Sequence, residues 1–485
     1  MFIVGKQKMN KILKLLFPIF ITSILSVCVV LFQPLHDGFE LVPVLPISFS
    51  LYCLIFNKVL KHFGNSIAVT CILSWLYLRN VITPVLMALS GYSSYSAQSI
   101  AGNMNLACLL LIYEMTMIFI VLYFLEPKFK SIKPINFNKT KITIPYFKLI
   151  NFIFIFMILV VIVLGYKYKS LWSFYEFTFS SNNIEQNLTR LHLQNYAKGN
   201  VPKLFYYLFS FFTEIIRFVL PLLIFIKIFN KQKISVTMKI IFSMVLVLLF
   251  SMISSDTKAV TVFLLIAWMI WLMNLYYGKR KIIRRLLFIG VAILGVGGLM
   301  YKSIISNNND IAWISLNNMI QAYGGGPNKV SIALNIKENI SIEQFVGDTL
   351  KYIPYVMYYF KSYTSSNGLF NAVFWGNELA PQTQIIPTIS QCSRYFTIAL
   401  SPLFSIIFVY LAVISETRIS KENSLKMFIR ILMCVVFSIG IYMYNASLIL
   451  SFYFKYVFIL QVFISVFKKW EGDKIEDRIT NVVQK

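Results

Sequence analysis

Met104 to Leu125 reads MNLACLLLIYEMTMIFIVLYFL, a run of apolar residues interrupted by a single charge, Glu114. A run of about twenty apolar residues is long enough to cross a hydrocarbon core as an α-helix. Inside lipid no solvent satisfies an open backbone group, so such a run must be helical. The rest of the chain repeats the pattern. Its 485 residues are 58% hydrophobic and only 13% charged, whereas a soluble chain carries about a quarter charged residues. The sequence therefore predicts a polytopic all-α membrane protein, one integral domain over 1–485.

About twelve spans are expected: Ile12 to Phe32, Leu41 to Phe56, Ser66 to Leu89, Met104 to Leu125, Leu149 to Tyr166, Leu204 to Phe225, Ile240 to Ser254, Ala259 to Tyr277, Leu286 to Ile305, Ile398 to Ile414, Leu425 to Tyr444 and Leu448 to Phe467. The second is short and holds Pro43 and Pro46. The first follows Lys6, Lys8, Lys11 and Lys14 and ends at Gln33-Pro34-Leu35-His36 with no small-residue cleavage site, so it reads as an uncleaved span.

The formal net charge is +26, from 45 Lys and Arg against 19 Asp and Glu. Most basic residues fall in one set of alternating connections, and the short opposite connection Ser90 to Asn103 has none. That asymmetry is the positive-inside rule. It places both termini, including the tail 468–485, on the cytoplasmic side of the membrane and argues against nucleic acid as a partner. Cys28, Cys53, Cys71, Cys108 and Cys434 lie in apolar runs and Cys392 lies in a loop, which implies no disulfide framework.

Two outside connections are large, 167–203 and 306–397. A loop of about ninety residues between adjacent spans is uncommon unless functional. Within it Phe345 to Tyr363, FVGDTLKYIPYVMYYFKSY, has the composition of an amphipathic helix lying on a membrane surface. Gly324-Gly325-Gly326-Pro327-Asn328-Lys329 reads as a tight turn presenting backbone and Lys329; the ending of a nucleotide phosphate loop is missing.

Arg79, Glu114, Glu214, Arg217 and Lys455 interrupt spans. Each costs roughly 2.5–3.5 kcal/mol at mid-bilayer unless it faces protein or water. Arg79 and Glu114 fall at similar depth in adjacent antiparallel helices, which predicts an ion pair. Glu214 and Arg217 share one helix face. Asp256 and Lys258 cap the turn between the seventh and eighth spans. The charges gather from mid-membrane to the outer side, which suggests a vestibule open to the exterior. His36, His62 and His192 are too dispersed for a metal site, so neither a metal nor a cofactor is expected. Arg190 and Arg394 are the arginines of the outside loops, and a guanidinium fork suits an anionic oxygen.

Many spans, a moderate outside loop, a second long one opening with Tyr323-Gly-Gly-Gly-Pro327, and a return through Pro381 to Phe404 (PQTQIIPTISQCSRYFTIALSPLF) together resemble the bacterial oligosaccharide repeat unit polymerases, the O-antigen polymerase (Wzy) family. Asp256-Thr257-Lys258 stands where relatives, the O-antigen ligases among them, tend to carry Ser-Arg. The resemblance implies a GT-C-like membrane glycosyltransferase that needs no metal. It would join a polyprenyl-diphosphate-linked oligosaccharide donor to a carrier-linked acceptor outside the cytoplasmic membrane, with a chain-length regulator as a further partner. On that basis Arg190, Arg394, Lys258 and Lys329 are candidates to stabilise the departing diphosphate, and Asp256 and Glu378 to take the acceptor proton. Tyr323, Arg79, Glu114 and Arg217 would line the substrate site. Some relatives place a Gly ten residues after such an Arg; here Gly199 follows Arg190 by nine positions. The main rival is a transporter such as a lipid-linked oligosaccharide flippase. Transporters usually show repeat symmetry and mid-membrane sites, and this chain shows no internal repeat.

Overall fold

The computed structural model describes residues 2–33, 37–129, 147–174, 176–177, 199–229, 234–254, 258–286, 309–338, 340–350, 364–377, 384–419, 424–458 and 461. Apart from one two-residue strand pair, the regular elements among them are helices.

Six helical stretches are long and apolar enough to cross a membrane: Leu13–Phe32, Ile67–Leu89, Ala101–Lys128, Lys203–Ile228, Ile398–Thr417 and Lys426–Met443. Five shorter apolar helices fall on further expected spans, Val44–Ile55, Asn151–Lys167, Val236–Val247, Phe263–Leu275 and Ala446–Phe458. The expected ninth span lies, beyond Leu286, outside the described residues.

In chain order we label α1 (Phe2–Phe32), α2 (Val44–Ile55), α3 (Ile67–Tyr77), α4 (Thr83–Leu89), α5 (Met104–Leu125), α6 (Phe147–Lys167), α7 (Lys203–Phe229), α8 (Val236–Met252) and α9 (Lys258–Leu275). The helices α10 (Asn309–Gly324), α11 (Pro327–Leu334), α12 (Ile342–Leu350), α13 (Ser366–Trp375) and α14 (Thr388–Tyr395) belong to the long connection, and α15 (Leu403–Thr417), α16 (Ser424–Met443) and α17 (Ala446–Phe452) complete the bundle.

α16 is the hub. It packs against α15, α9 and α3, and its apolar residues are buried on every side. A helix apolar all round belongs in a core or in lipid. Around it Phe225, Trp268, Trp271 and Phe428 meet edge to face or tilted, at 5.1–5.5 Å between ring centroids, the arrangement that the aromatic quadrupole favours. The outer helices do the reverse: Phe152, Ile155, Phe156, Leu159 and Ile162 of α6 are exposed. Such a surface suits hydrocarbon, not water.

Two ends of the bundle are distinct. At one, Glu416 of α15 accepts from the Ser66 hydroxyl and from the Ile67 and Ala68 amides, so a carboxylate from another helix caps the start of α3 and satisfies its orphan donors. His62 meets Glu126 at 3.0 Å at the same end. The long connection packs at the other. There α10 lies on α4 and α16, α11 on α5, α12 on α17, and α14 on α15 and α17. The Trp75 indole donates to the Tyr323 carbonyl, Asn317 Nδ2 to Ser90 Oγ, and Thr388 Oγ1 to the Tyr444 carbonyl. A connection pinned by buried hydrogen bonds is part of the fold, not a tether.

This corrects two expectations. Phe345 to Tyr363 is not a free surface helix over its described part: α12 packs on α17 with Gly347, Asp348 and Thr349 buried. Gly324 to Lys329 is not a turn that presents its lysine. Gly325 takes φ +56° and Gly326 is an N-cap. Pro327 opens α11 at the position where its fixed φ suits a helix, and Lys329 is buried.

Candidate functional site

The candidate site is the end of the bundle that carries α10–α14, together with the polar layer beneath it.

That layer is built on α3–α5. Between α3 and α4 the backbone widens into a π-helical turn, Leu78–Ile82. Such turns are frequent at functional sites. It carries Arg79, which is fully buried. Its Nη1 sits 2.6 Å from Glu114 Oε2, as the matched depths predicted. The other Glu114 oxygen accepts from Ser405 Oγ of α15. The guanidinium also lies over the Tyr442 ring, 4.8 Å from its centroid. A buried pair survives only if its remaining polar atoms are also partnered. Here Arg79 Nε and Nη2 and the Tyr442 hydroxyl are buried without a hydrogen bond among the described residues.

Above this layer Gly325 and Gly326 bring the connection against the bundle. A Cβ on Gly325 would lie 2.9 Å from the Tyr442 carbonyl oxygen, and one on Gly326 would clash with Gln321 Oε1 and meet Thr83 Cγ2 at 3.2 Å. Gln321 Oε1 in turn accepts from the Asn328 amide. Thr83 is one turn beyond Arg79, so the glycines seat directly over the charged layer.

Lys329 Nζ donates to Gln384 Oε1 and stands 3.9 Å over the Phe374 ring. Asn371 fixes Gln384 in place by pairing with its backbone in both directions. No carboxylate pairs with Lys329 among the described residues. Burial pushes its ammonium down to about 7. Because the unfolded lysine titrates near 10.4, the unfolded chain binds the extra proton between about pH 7 and pH 10, and stability rises with pH across that window. Lys329→Met should remove that rise; thermal denaturation followed from pH 7 to pH 9.5 checks it. A variant as pH-dependent as the wild type would place the titration elsewhere.

Arg394 Nη2 donates to the Ala333 and Leu334 carbonyls at 3.1 and 2.7 Å. It thereby caps the C-terminus of α11, where a cation is favourable. Burial lowers its ordinary value. Tyr323 gives the bundle its backbone carbonyl. Arg217 pairs with Glu214 at 3.2 Å, and Glu214 also accepts from the Tyr456 hydroxyl at 2.6 Å. Tyr456 belongs to a second π-helical turn, Tyr453–Phe458, which also contains Lys455.

Arg190, Asp256 and Glu378 lie outside the described residues, and Lys258 is seen as the first residue of α9 with its side chain outside them. Two residues before Asp256 the described backbone is paired: Glu176–Phe177 runs antiparallel to Ile253–Ser254. Residues 176–177 of the moderate connection thus lie beside the end of α8.

Sequence reasoning missed a second polar cluster. Asp348 Oδ2 accepts from the Ser366 amide and hydroxyl at 2.8 and 2.6 Å. Gln391 Nε2 donates to Ser366 Oγ and Ser447 Oγ, and its carbonyl oxygen accepts from the Ala446 amide. Asn445 Nδ2 donates to Asn367 Oδ1 at 2.9 Å. Four helices, α12, α13, α14 and α17, converge there. The available signal was a lone carboxylate in an apolar run, the same signal that marks Arg79 and Glu114.

The fold and these layers define a membrane-embedded helical protein with a polar, structured end. No known protein family, curated protein or solved structure matches the chain.

Proposed function

We propose that this chain polymerises polyprenyl-diphosphate-linked oligosaccharide repeat units into a surface polysaccharide, working as a twelve-span, GT-C-like glycosyltransferase of the inner membrane with both termini in the cytoplasm. The observation that carries the reading is the fixed cap of α10–α14. A transporter opens and closes around a mid-membrane site. This cap is instead held to α3, α4, α16 and α17 by buried hydrogen bonds, as suits a site that positions two large substrates at one face of the bundle.

In this reading the donor and acceptor carriers lie in the lipid beside the bundle and their glycans reach the cap. The departing diphosphate gathers charge as its bond to the sugar breaks, and preorganised cations stabilise it. Arg394, half-buried at the cap's edge, together with Arg190 and Lys258, would supply them. Arg79 acts from beneath, by holding Glu114 and Tyr442 under the glycine turn. Lys329 is committed to Gln384 and the Phe374 ring, and it orders the cap around α13.

Deletion of the gene in its host, followed by gel analysis of surface glycan, tests the reading. Single repeat units should replace the ladder. Lipid-linked repeats trapped on the cytoplasmic face would instead identify a transporter.

A further inference from the structure

Among the described residues, Asp348 stands apart from the other carboxylates. Glu114 and Glu214 are bound to arginines; Glu416 and Glu126 sit at the opposite end of the bundle. Glu338 and Glu343 are exposed. Asp348 is buried at the cap, only 4% exposed, with no basic partner among the described residues.

Its two oxygens are not equivalent. Oδ2 takes both Ser366 hydrogen bonds, whereas Oδ1 is buried without any. The Tyr395 hydroxyl is also buried, and although the Ser366, Ser447 and Gln391 side chains stand close enough to interact with it, none makes a hydrogen bond of ordinary geometry. It lies in the same cluster, near Asp348, Ser366, Ser447 and Gln391, and burial with the neighbouring carboxylate holds it above its ordinary value. Leaving a buried acceptor unpaired costs about 1–3 kcal/mol. An incoming hydroxyl would recover that cost, donating to Oδ1 and accepting from Tyr395. Gln391 and Ser447 hold the surrounding geometry, and Phe345 and Phe404 stand beside the Tyr395 ring, 5.2 and 6.4 Å between centroids.

Building on the polymerase reading, we infer that Asp348 Oδ1 is the proton acceptor for the sugar hydroxyl of the incoming repeat unit, with the Tyr395 hydroxyl positioning that oxygen. The hydroxyl proton passes to Oδ1, and the hydroxyl oxygen forms a bond to the anomeric carbon of the donor. The bond from that carbon to the diphosphate oxygen breaks, and its electron pair leaves with the diphosphate. Asp348 then returns the proton to water. The Ser366 hydrogen bonds keep Oδ2 occupied, so that Oδ1 is the oxygen left to take a proton.

The test uses the full-length purified protein in proteoliposomes, with polyprenyl-diphosphate-linked repeat units as the only substrate and a gel ladder as readout. Asp348→Asn keeps an oxygen for Ser366 and replaces the free oxygen with an amide. It should fold and lose about 100-fold or more of the polymerisation rate, the usual weight of a general base. A ladder formed at the wild-type rate would overturn the assignment and leave Asp348 as a helix cap. If Asp348→Asn does not fold, Ser366→Ala carries the test. Losing the hydroxyl that holds Oδ2 leaves the carboxylate free to turn away, so the polymerisation rate should fall while the apparent KM for the repeat unit stays unchanged. An unchanged rate in that variant would count against the assignment equally. Failure of the wild type itself to build a ladder would fall on the polymerase reading instead.

Discussion

Arg79→Leu should lower the unfolding free energy by about 3–5 kcal/mol, since it strands a buried carboxylate. Glu114 would keep only Ser405 as a described side-chain partner, and the Tyr442 ring would lose the cation it faces. Glu114→Gln should cost less than Glu114→Arg, because an amide keeps one oxygen to accept from Arg79 and its nitrogen can donate to the Ser405 hydroxyl oxygen. The exchange Arg79→Glu with Glu114→Arg restores opposite charges across the same two helices. It should recover a large part of what either reversal loses, measured as thermal stability in detergent. A double variant no better than the worse single reversal would show that the pair is not the interaction that matters here.

The pairing was legible before the structure because depth along a helix converts directly into position. Each residue adds about 1.5 Å, so two lone charges at matched depth in adjacent spans have one economical solution. The π-helical turn around Arg79 was not legible. It leaves no periodicity to find and becomes visible only from the backbone. Lys329 misled for a related reason. Gly-Gly-Gly-Pro reads as a turn, and the lysine after it as displayed, yet Gly326 and Pro327 are also the N-cap and first residue of a helix. What buries that helix is α5 and α13, far away in sequence. Asp348 was hidden in an apolar stretch whose composition fits a membrane surface as well as a protein interface. Only the packing of α12 on α17 decides between the two.

Gly325→Val should be the most damaging substitution in the cap. The position has φ +56°, a region where a β-branched residue is strained by about 1–3 kcal/mol. The new Cβ would meet the Tyr442 carbonyl at 2.9 Å, and backbone cannot yield as a side-chain tip can. Because Tyr442 lies on Arg79, displacement there should reach the charged layer. A loss of about 3 kcal/mol or more is therefore expected. Gly324→Ala is the control: nothing lies within 4 Å of its Cβ, and an alanine at the last residue of α10 should be tolerated. Equal losses at the two positions would show that the glycine turn does not seat against α16 as described.

Polymerisation by the purified protein is the most direct measurement of the whole account. Given lipid-linked repeat units alone, without nucleotide sugar or metal, the wild-type chain in proteoliposomes should produce products rising one repeat at a time. It should release one polyprenyl diphosphate per linkage. Movement of intact repeat units across the bilayer with no new linkage would contradict the account.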